Sequence, residues 1–312
     1  MATPDLWVEK YRPSGINGYV FKNEQVRAQV QEWIDNPEKK FIPFPHLLLS
    51  GSPGVGKTTL AKALLNELKV GKYDILELNG SRETGVDNLR EKVIGFCSTY
   101  ANGDYKVVLI DEADYLSQAA QACLRAELER FADSVRFILT CNYPHKIIGA
   151  LHSRMQGFHF DALDPEAFLM RVMEILSLEG VTFDPDNLDA FYNNTYPDLR
   201  KCINLLDQHS HGGQLSPLEE GQASSLDYMN SAVDLIKAKR YTDARKLIVA
   251  NADVNDYEEI FKFLYKNLQL FGDDDMTQSA AVIIIARGLR NHAISADAEI
   301  NLAATLVELS QL

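Results

Sequence analysis

The stretch Gly51-Ser52-Pro53-Gly54-Val55-Gly56-Lys57-Thr58 constrains this chain more than any other. It reads G-x-x-x-x-G-K-T, a phosphate-binding loop with every fixed position filled. Its flanks fit the motif. Residues 46–50 before it are an apolar run of strand type, and residues 59–68 after it are apolar at helical spacing. The glycines let successive backbone N–H groups point at one anion. The helix that follows adds its free N–H groups and positive end. Ser52, Pro53, Gly54, Val55, Gly56, Lys57, Thr58 and Thr59 are therefore the candidate nucleotide-binding segment. Lys57 can reach the β- and γ-phosphates, and Thr58 can offer its hydroxyl to Mg2+. ATP and Mg2+ are the expected cofactors.

The second signal is Tyr105-Lys106-Val107-Val108-Leu109-Ile110-Asp111-Glu112-Ala113-Asp114. An apolar run that ends in acids is a buried parallel strand delivering carboxylates at its C-terminal end. Ligands bind at that end of open α/β sheets. Asp111 can supply the cation's carboxylate across from Thr58. Glu112 can orient and polarise the attacking water. Asn142 ends the next apolar strand, where an amide either holds that water or makes turn chemistry with Tyr143-Pro144. Arg154 follows Ser153. It is either a surface arginine or one that reaches the charge developing in a neighbouring active site. Arg200 lies in the first turn of a later helix, where a cation opposes the dipole. That placement suggests a use, against the reading of an ordinary exposed arginine. The segment Trp7 to Pro13 is either an N-terminal arm or a cover for the nucleotide base.

The alternation of strands and helices predicts a parallel sheet covered on both faces. Helices are expected over 23–36 (stopped by Pro37), 87–100 and 117–131. Strands are expected over 74–79, 105–110 and 135–141, with strand signals ending near Phe160. Helices follow at 165–179, 185–193 and 197–209, each with proline at its start. Residues 211–225 are linker-like. Helical blocks complete the chain at 227–239, 241–250, 256–271 and 276–310, the last divided near Asn291. The 312 residues suffice for two or three domains. The expected fold class is α/β: a phosphate-loop domain with a parallel sheet over 1–162, a helical domain over 163–226 and an all-α domain over 227–312.

Composition narrows the function classes. No apolar run approaches membrane-spanning length, and the N-terminus lacks the layout of a signal peptide. Cys97, Cys123, Cys141 and Cys202 lie far apart, which argues against a metal site or disulfide framework and for a reducing cytoplasm. The formal net charge is −13, and nearly all of it lies beyond residue 162. Such a chain is a poor general binder of nucleic acid. Any contact with DNA must come from a local basic surface in the first half.

Together these residues resemble the clamp-loader branch of the AAA+ ATPases, and within it the ATPase subunits of T4-type bacteriophage sliding-clamp loaders. The likeness covers about residues 5–205. It rests on Val8-Glu9-Lys10-Tyr11-Arg12-Pro13, the phosphate loop, Glu77-Leu78-Asn79-Gly80-Ser81, Asp111-Glu112-Ala113-Asp114, Asn142-Tyr143-Pro144-His145-Lys146, Ser153-Arg154 and Asp198-Leu199-Arg200. The resemblance implies that Asn142 is the sensor-1 residue and Arg154 an arginine finger acting on the next subunit's ATP. It implies that Arg200 is the sensor-2 arginine on a helical lid, and that residues 227–312 form a collar. Tyr11 and Arg12 would lie near the adenine, and Asn79 would restrain Glu112. Arg82, Arg90, Arg125 and Lys146 are candidate contacts to DNA phosphates, and Ile94, Phe96 and Tyr100 candidate clamp anchors, with solvated surface or core packing as the other reading of each. The implied partners are a sliding clamp, primer–template DNA, further copies in an open ring and one non-ATPase subunit, with no membrane. The implied activity is Mg-dependent ATP hydrolysis stimulated by clamp and DNA. A helicase loader or branch-migration motor is the alternative. Two departures from the family pattern stand out: Met155 where cysteine follows the arginine, and Leu124-Arg125-Ala126 where two adjacent arginines are usual.

Overall fold

The computed structural model describes residues 6–35, 42–82, 85–218, 225–238, 240–251, 257–272, 274–292, 295 and 297–312. Contacts divide the chain into two units: residues 1–184 with 195–216, and residues 185–194 with 217–312.

The first unit is built on five strands, β1 (Leu47–Gly51), β2 (Ile75–Asn79), β3 (Lys106–Asp111), β4 (Val135–Cys141) and β5 (Gln156–Phe160). They lie in the order β2-β3-β4-β1-β5, and every pairing is parallel. The strands read as near-continuous apolar runs because both faces are covered. On one face, Leu48, Val108, Ile110, Phe137 and Leu139 pack with residues of α4 (Val86–Cys97) and α5 (Gln118–Arg130). On the other, α3 (Lys57–Glu67) packs on β1 and β4, and α2 (Glu24–Asp35) packs on α3. The stop assigned to Pro37 lies outside the described residues.

β5 is the strand that periodicity underplays. It carries a glycine and a histidine and borders only β1, so it needs no unbroken apolar run. The helix expected over 87–100 ends at Cys97. The buried Lys106 ammonium stops it by donating to Phe96 O at 2.8 Å and to the Thr99 hydroxyl.

A short helix α1 (Trp7–Lys10) precedes the sheet, and α6 (Gly149–His152) precedes β5. After β5 come α7 (Pro165–Leu178) and α9 (Leu199–His209), both capped by aspartates. Asp164 accepts from Ala167 N and Asp198 from Lys201 N, each at 2.8 Å. The third proline-led helix therefore starts two residues later than its proline suggests. The linker expected from residue 211 opens instead as an antiparallel hairpin, Ser210–His211 against Gln214–Leu215. Gly212 and Gly213 turn it at φ +65° and +79°, a two-residue turn that the double glycine favours. Residues 219–224 of that linker lie outside the described ones.

In the second unit, helices α10 (Ser225–Lys237), α11 (Tyr241–Asn251), α12 (Tyr257–Lys266), α13 (Asp275–His292) and α14 (Ala298–Leu309) enclose their own core. Phe261, Leu302 and Leu306 are among its fully buried members. α8 (Pro185–Thr195) falls mostly in this unit. The block expected over 276–310 is divided as anticipated. No helix of the described residues is long and apolar enough to cross a membrane.

Candidate active site

The C-terminal ends of β1, β3 and β4 converge on one pocket. Pro53, Gly54, Gly56, Lys57, Thr58, Asp111, Glu112, Thr140, Asn142 and Arg200 line it. The sheet order explains the convergence. Thr140 stands beside β1 at Leu49, and Asn79 stands beside Asp111. The loop after β1 therefore opens over the strand that carries the acids.

Lys57 is buried, and its ammonium donates to Gly51 O (2.9 Å) and Ser52 O (2.7 Å). Burial pushes its pKa below the usual lysine range. The Thr58 hydroxyl donates to Asp111 Oδ1 at 2.6 Å, and the Thr140 hydroxyl donates to the same oxygen. Glu112 N in turn donates to Thr140 Oγ1 at 3.2 Å. Glu112 has left-handed backbone (φ 56°, ψ 43°), a conformation rare for a side chain of this kind. Its turn is braced by Asp114, a buried residue whose Oδ2 accepts from Asn142 N (3.2 Å) and Tyr143 N (3.0 Å). Gln121 on α5 donates to Leu116 O and Lys146 O (both 3.1 Å) and accepts from Ile148 N (2.8 Å). The segment after Asn142 is thereby fastened to the acidic turn. The Asn79 amide oxygen accepts from Ser81 N (2.9 Å) and from the Ser81 hydroxyl (2.5 Å).

A second cleft continues from the first, with Gly54, Gly56 and Arg200 lining both. Its walls include Tyr11, Arg12, Pro13, Val20, Leu199 and Ile203. An apolar slot joined to a polar anion pocket has the layout of a site for a base with phosphates attached. Tyr11 and Arg12 both line this cleft. Tyr11 donates to Glu179 at 2.6 Å, and Trp7 N donates to Asp207 on α9 at 3.2 Å, so the arm is held by α7 and α9. Val55 serves through its backbone. Its side chain is buried, and its carbonyl accepts from the Tyr19 hydroxyl at 3.4 Å. Thr59 lines the second cleft. Ser52 is exposed, and its carbonyl receives Lys57.

Arg154 is absent from both clefts. It pairs with Glu129 at 2.5 Å and donates to Ala150 O at 3.0 Å. Two residues later β5 begins at Gln156, which pairs with Leu47 at the start of β1. The phosphate loop follows the far end of that strand, roughly 13 Å away at about 3.3 Å per residue. The structure thus separates Arg154 from its own chain's loop.

Arg82, Arg90, Arg125 and Lys146 are all exposed, on the loop after β2, on α4, on α5 and on the turn after β4. Arg82 also lines a polar cleft beside Thr58 and Asp111. Lys146 lies over the Tyr143 ring at 4.4 Å. Of the three expected clamp anchors, Phe96 packs on the core beneath Lys106, Ile94 is half-buried and Tyr100 is fully exposed.

Sequence reasoning passed over Thr140, Tyr19, Leu199, Ile203 and Arg171. A hydroxyl following the apolar run Phe137-Ile138-Leu139, one residue before the end of the central strand, was the available sign for Thr140. The others join the site only through long-range packing.

Residues 47–160 match the ATPase family associated with various cellular activities, AAA. A replication factor C small subunit from Methanococcus vannielii is 35% identical over 306 residues, covering 97% of this chain and 90% of the relative. Small subunits from Sulfolobus acidocaldarius and Methanococcus maripaludis are 39% and 42% identical over 68% and 64% of this chain, and 64% and 63% of their own lengths. Among solved structures, the Thermotoga maritima RuvB Holliday junction branch migration motor aligns with a TM-score of 0.58 at 16% identity, over 72% of this chain and 79% of that one. At that identity the likeness is one of fold.

Proposed function

We infer that this chain, which belongs to the replication factor C small-subunit family of AAA ATPases, is the ATP-hydrolysing subunit of a sliding-clamp loader that uses ATP to place the clamp on primer–template DNA. One observation carries the reading. The cradle, both acids, Asn142 and Arg200 share a single pocket, while Arg154 lies outside it, paired with Glu129.

The chemistry follows from the placement. The loop amides and Lys57 bind the phosphates. Thr58 and Asp111 would hold Mg2+, and their fit is good: Asp111 Oδ1 receives two hydroxyls, a set of hard oxygen donors. When bound, that ion would neutralise charge on the β- and γ-phosphates. Glu112 takes the proton of the attacking water, and Asn142 holds that water in line. Arg200 engages the γ-phosphate from the lid. Arg154 completes the site of the next copy, because it stands too far from its own. Tyr11 and Arg12 cover the base.

The three-part division, with core 1–162, lid 163–226 and collar 227–312, is part of this proposal. So is an open ring containing other copies, one non-ATPase subunit, the clamp and DNA. Arg82, Arg90, Arg125 and Lys146 would track duplex phosphates, giving salt-sensitive binding with little sequence preference. Tyr100, with Ile94 and Phe96 behind it, would meet the clamp. The reading places the protein in the cytoplasm. The finer affiliation with T4-type phage loaders rests on the motif residues; the relatives named above are archaeal.

A branch-migration motor would share the ATP site and the fold. Every regular element described after residue 216 is helical, which favours a collar over a winged-helix module. The deciding measurement is ATP turnover with clamp and primed DNA added singly and together. A rise with both supports the loader reading, and an unchanged rate rejects it.

A further inference from the structure

The Asp198 carboxylate rests on the phosphate loop. Asp198 caps α9 through Oδ1, which accepts from Lys201 N at 2.8 Å. The same carboxylate fills the space that a Cβ on Gly54 would need. Gly54, at φ +73°, is left-handed as well, so a side chain there is excluded twice. Two residues beyond Asp198, Arg200 lines the pocket that holds Lys57, Thr58 and Asp111.

A cap does not require a charge. Asn and Ser cap about as well as Asp. An acid at this position is therefore informative, because it stands on the rim of a cradle built to attract anions. Burial raises its pKa, with Arg200 and Lys201 offsetting part of that cost. A negative charge is thus unfavourable here before any phosphate arrives, and a triphosphate in the cradle adds to the repulsion.

We propose that Asp198 is a positioning residue whose charge, held against Gly54 by the α9 cap, loosens the grip on nucleotide and speeds release of spent ADP. The proposal rests on nucleotide binding at this loop. It assigns one residue two separable duties. The capping oxygen sets where α9 and Arg200 stand. The charge opposes the polyphosphate, competing with it for the field of the loop amides and the α3 N-terminus. The energy of ATP binding is then spent partly against α9 instead of wholly on retention.

The test uses the full chain carrying Asp198→Asn or Asp198→Ser. Both variants keep a capping acceptor and remove the charge. Equilibrium titration with ADP and with a slowly hydrolysed ATP analogue, in the presence of Mg2+, gives the affinities. Both variants should bind ADP about tenfold more tightly, the scale of one added like charge at a few ångströms in a partly screened site. KM should fall more than kcat. Unchanged or weaker ADP binding in both variants, with normal helical content, overturns the proposal and leaves Asp198 a cap alone. If the Asp198→Asn chain fails to fold, the Asp198→Ser chain decides. Failure of the unaltered protein to bind either nucleotide rejects the nucleotide site itself, which is a different result.

Discussion

Arg154 is paired with Glu129 of its own chain at 2.5 Å, at the end of the sheet opposite the phosphate loop. That pairing holds the guanidinium at a surface, outside the pocket that the phosphate loop lines. Arg154→Ala should leave nucleotide affinity of the isolated chain unchanged and lower turnover of the assembled complex by about 10³-fold, the scale of a lost arginine finger. Complexes mixed from Arg154→Ala and Lys57→Ala chains should exceed either parent, since each supplies what the other lacks. A mixture no faster than its parents would show that the site is not shared.

Glu112→Gln keeps size and hydrogen bonding but removes the base. ATP binding should survive while single-turnover hydrolysis falls by about 10²- to 10⁴-fold, the contribution of a positioned general base. Rapid-quench kinetics separates the two quantities.

Gly80 is held close to that residue. A Cβ at position 80 would overlap the Glu112 carbonyl oxygen, and Glu112 is already in left-handed backbone. Strained backbone of this kind persists only where its surroundings hold it. Gly80→Ala should cost about 1–3 kcal/mol in urea melts, as other overpacked sites do, and should lower turnover more than ATP affinity.

His46 is neutral in the fold. Phe137 N donates to its Nδ1 at 3.1 Å, and burial, helped by the charge of Arg136, pushes its pKa down to about 4. Unfolded chains bind the proton near pH 6.5, so the unfolded state gains protons first as the medium acidifies. The stability His46 contributes is present above that pH and is lost between pH 6.5 and about 4, by at most about 3 kcal/mol. Thermal melts of His46→Asn, which keeps an acceptor but cannot titrate, should show a shallower slope across this window.

Tyr100 is fully exposed, one turn beyond α4. Tyr100→Ala should leave the melting temperature within about 2 °C of the parent, as surface changes usually do, and should reduce clamp stimulation of the ATPase. Stimulation that persists at full strength would remove Tyr100 from the clamp contact.

The local chemistry of the site was legible because spacing alone carries it. Gly56-Lys57-Thr58 and Asp111-Glu112 each follow an apolar strand, and parallel pairing brings such strand ends together whatever the loops do. The second cleft was half legible. Tyr11 and Arg12 stand out near the N-terminus, but Leu199 and Ile203 are two apolar positions among many until α9 docks. Asn79 stands at the end of β2 beside Asp111, and its amide oxygen is taken up locally by Ser81, a bond that spacing does not announce. β5 and the Ser210–Leu215 hairpin escaped periodicity because an edge strand and two-residue arms are too short or too mixed to show it. Phe96 and Tyr100 looked alike as letters, and only the buried Lys106 separates the packed ring from the exposed one.

The arm that carries Tyr11 and Pro13 is fastened through Glu179, the residue that ends α7, and to α9 through Asp207. The cleft lined by Tyr11 and Pro13 thus has a wall that is stapled on rather than grown from the sheet. Loosening either staple, at Glu179 or at Asp207, would reshape that wall while the phosphate loop, seated on β1 and α3, kept its form.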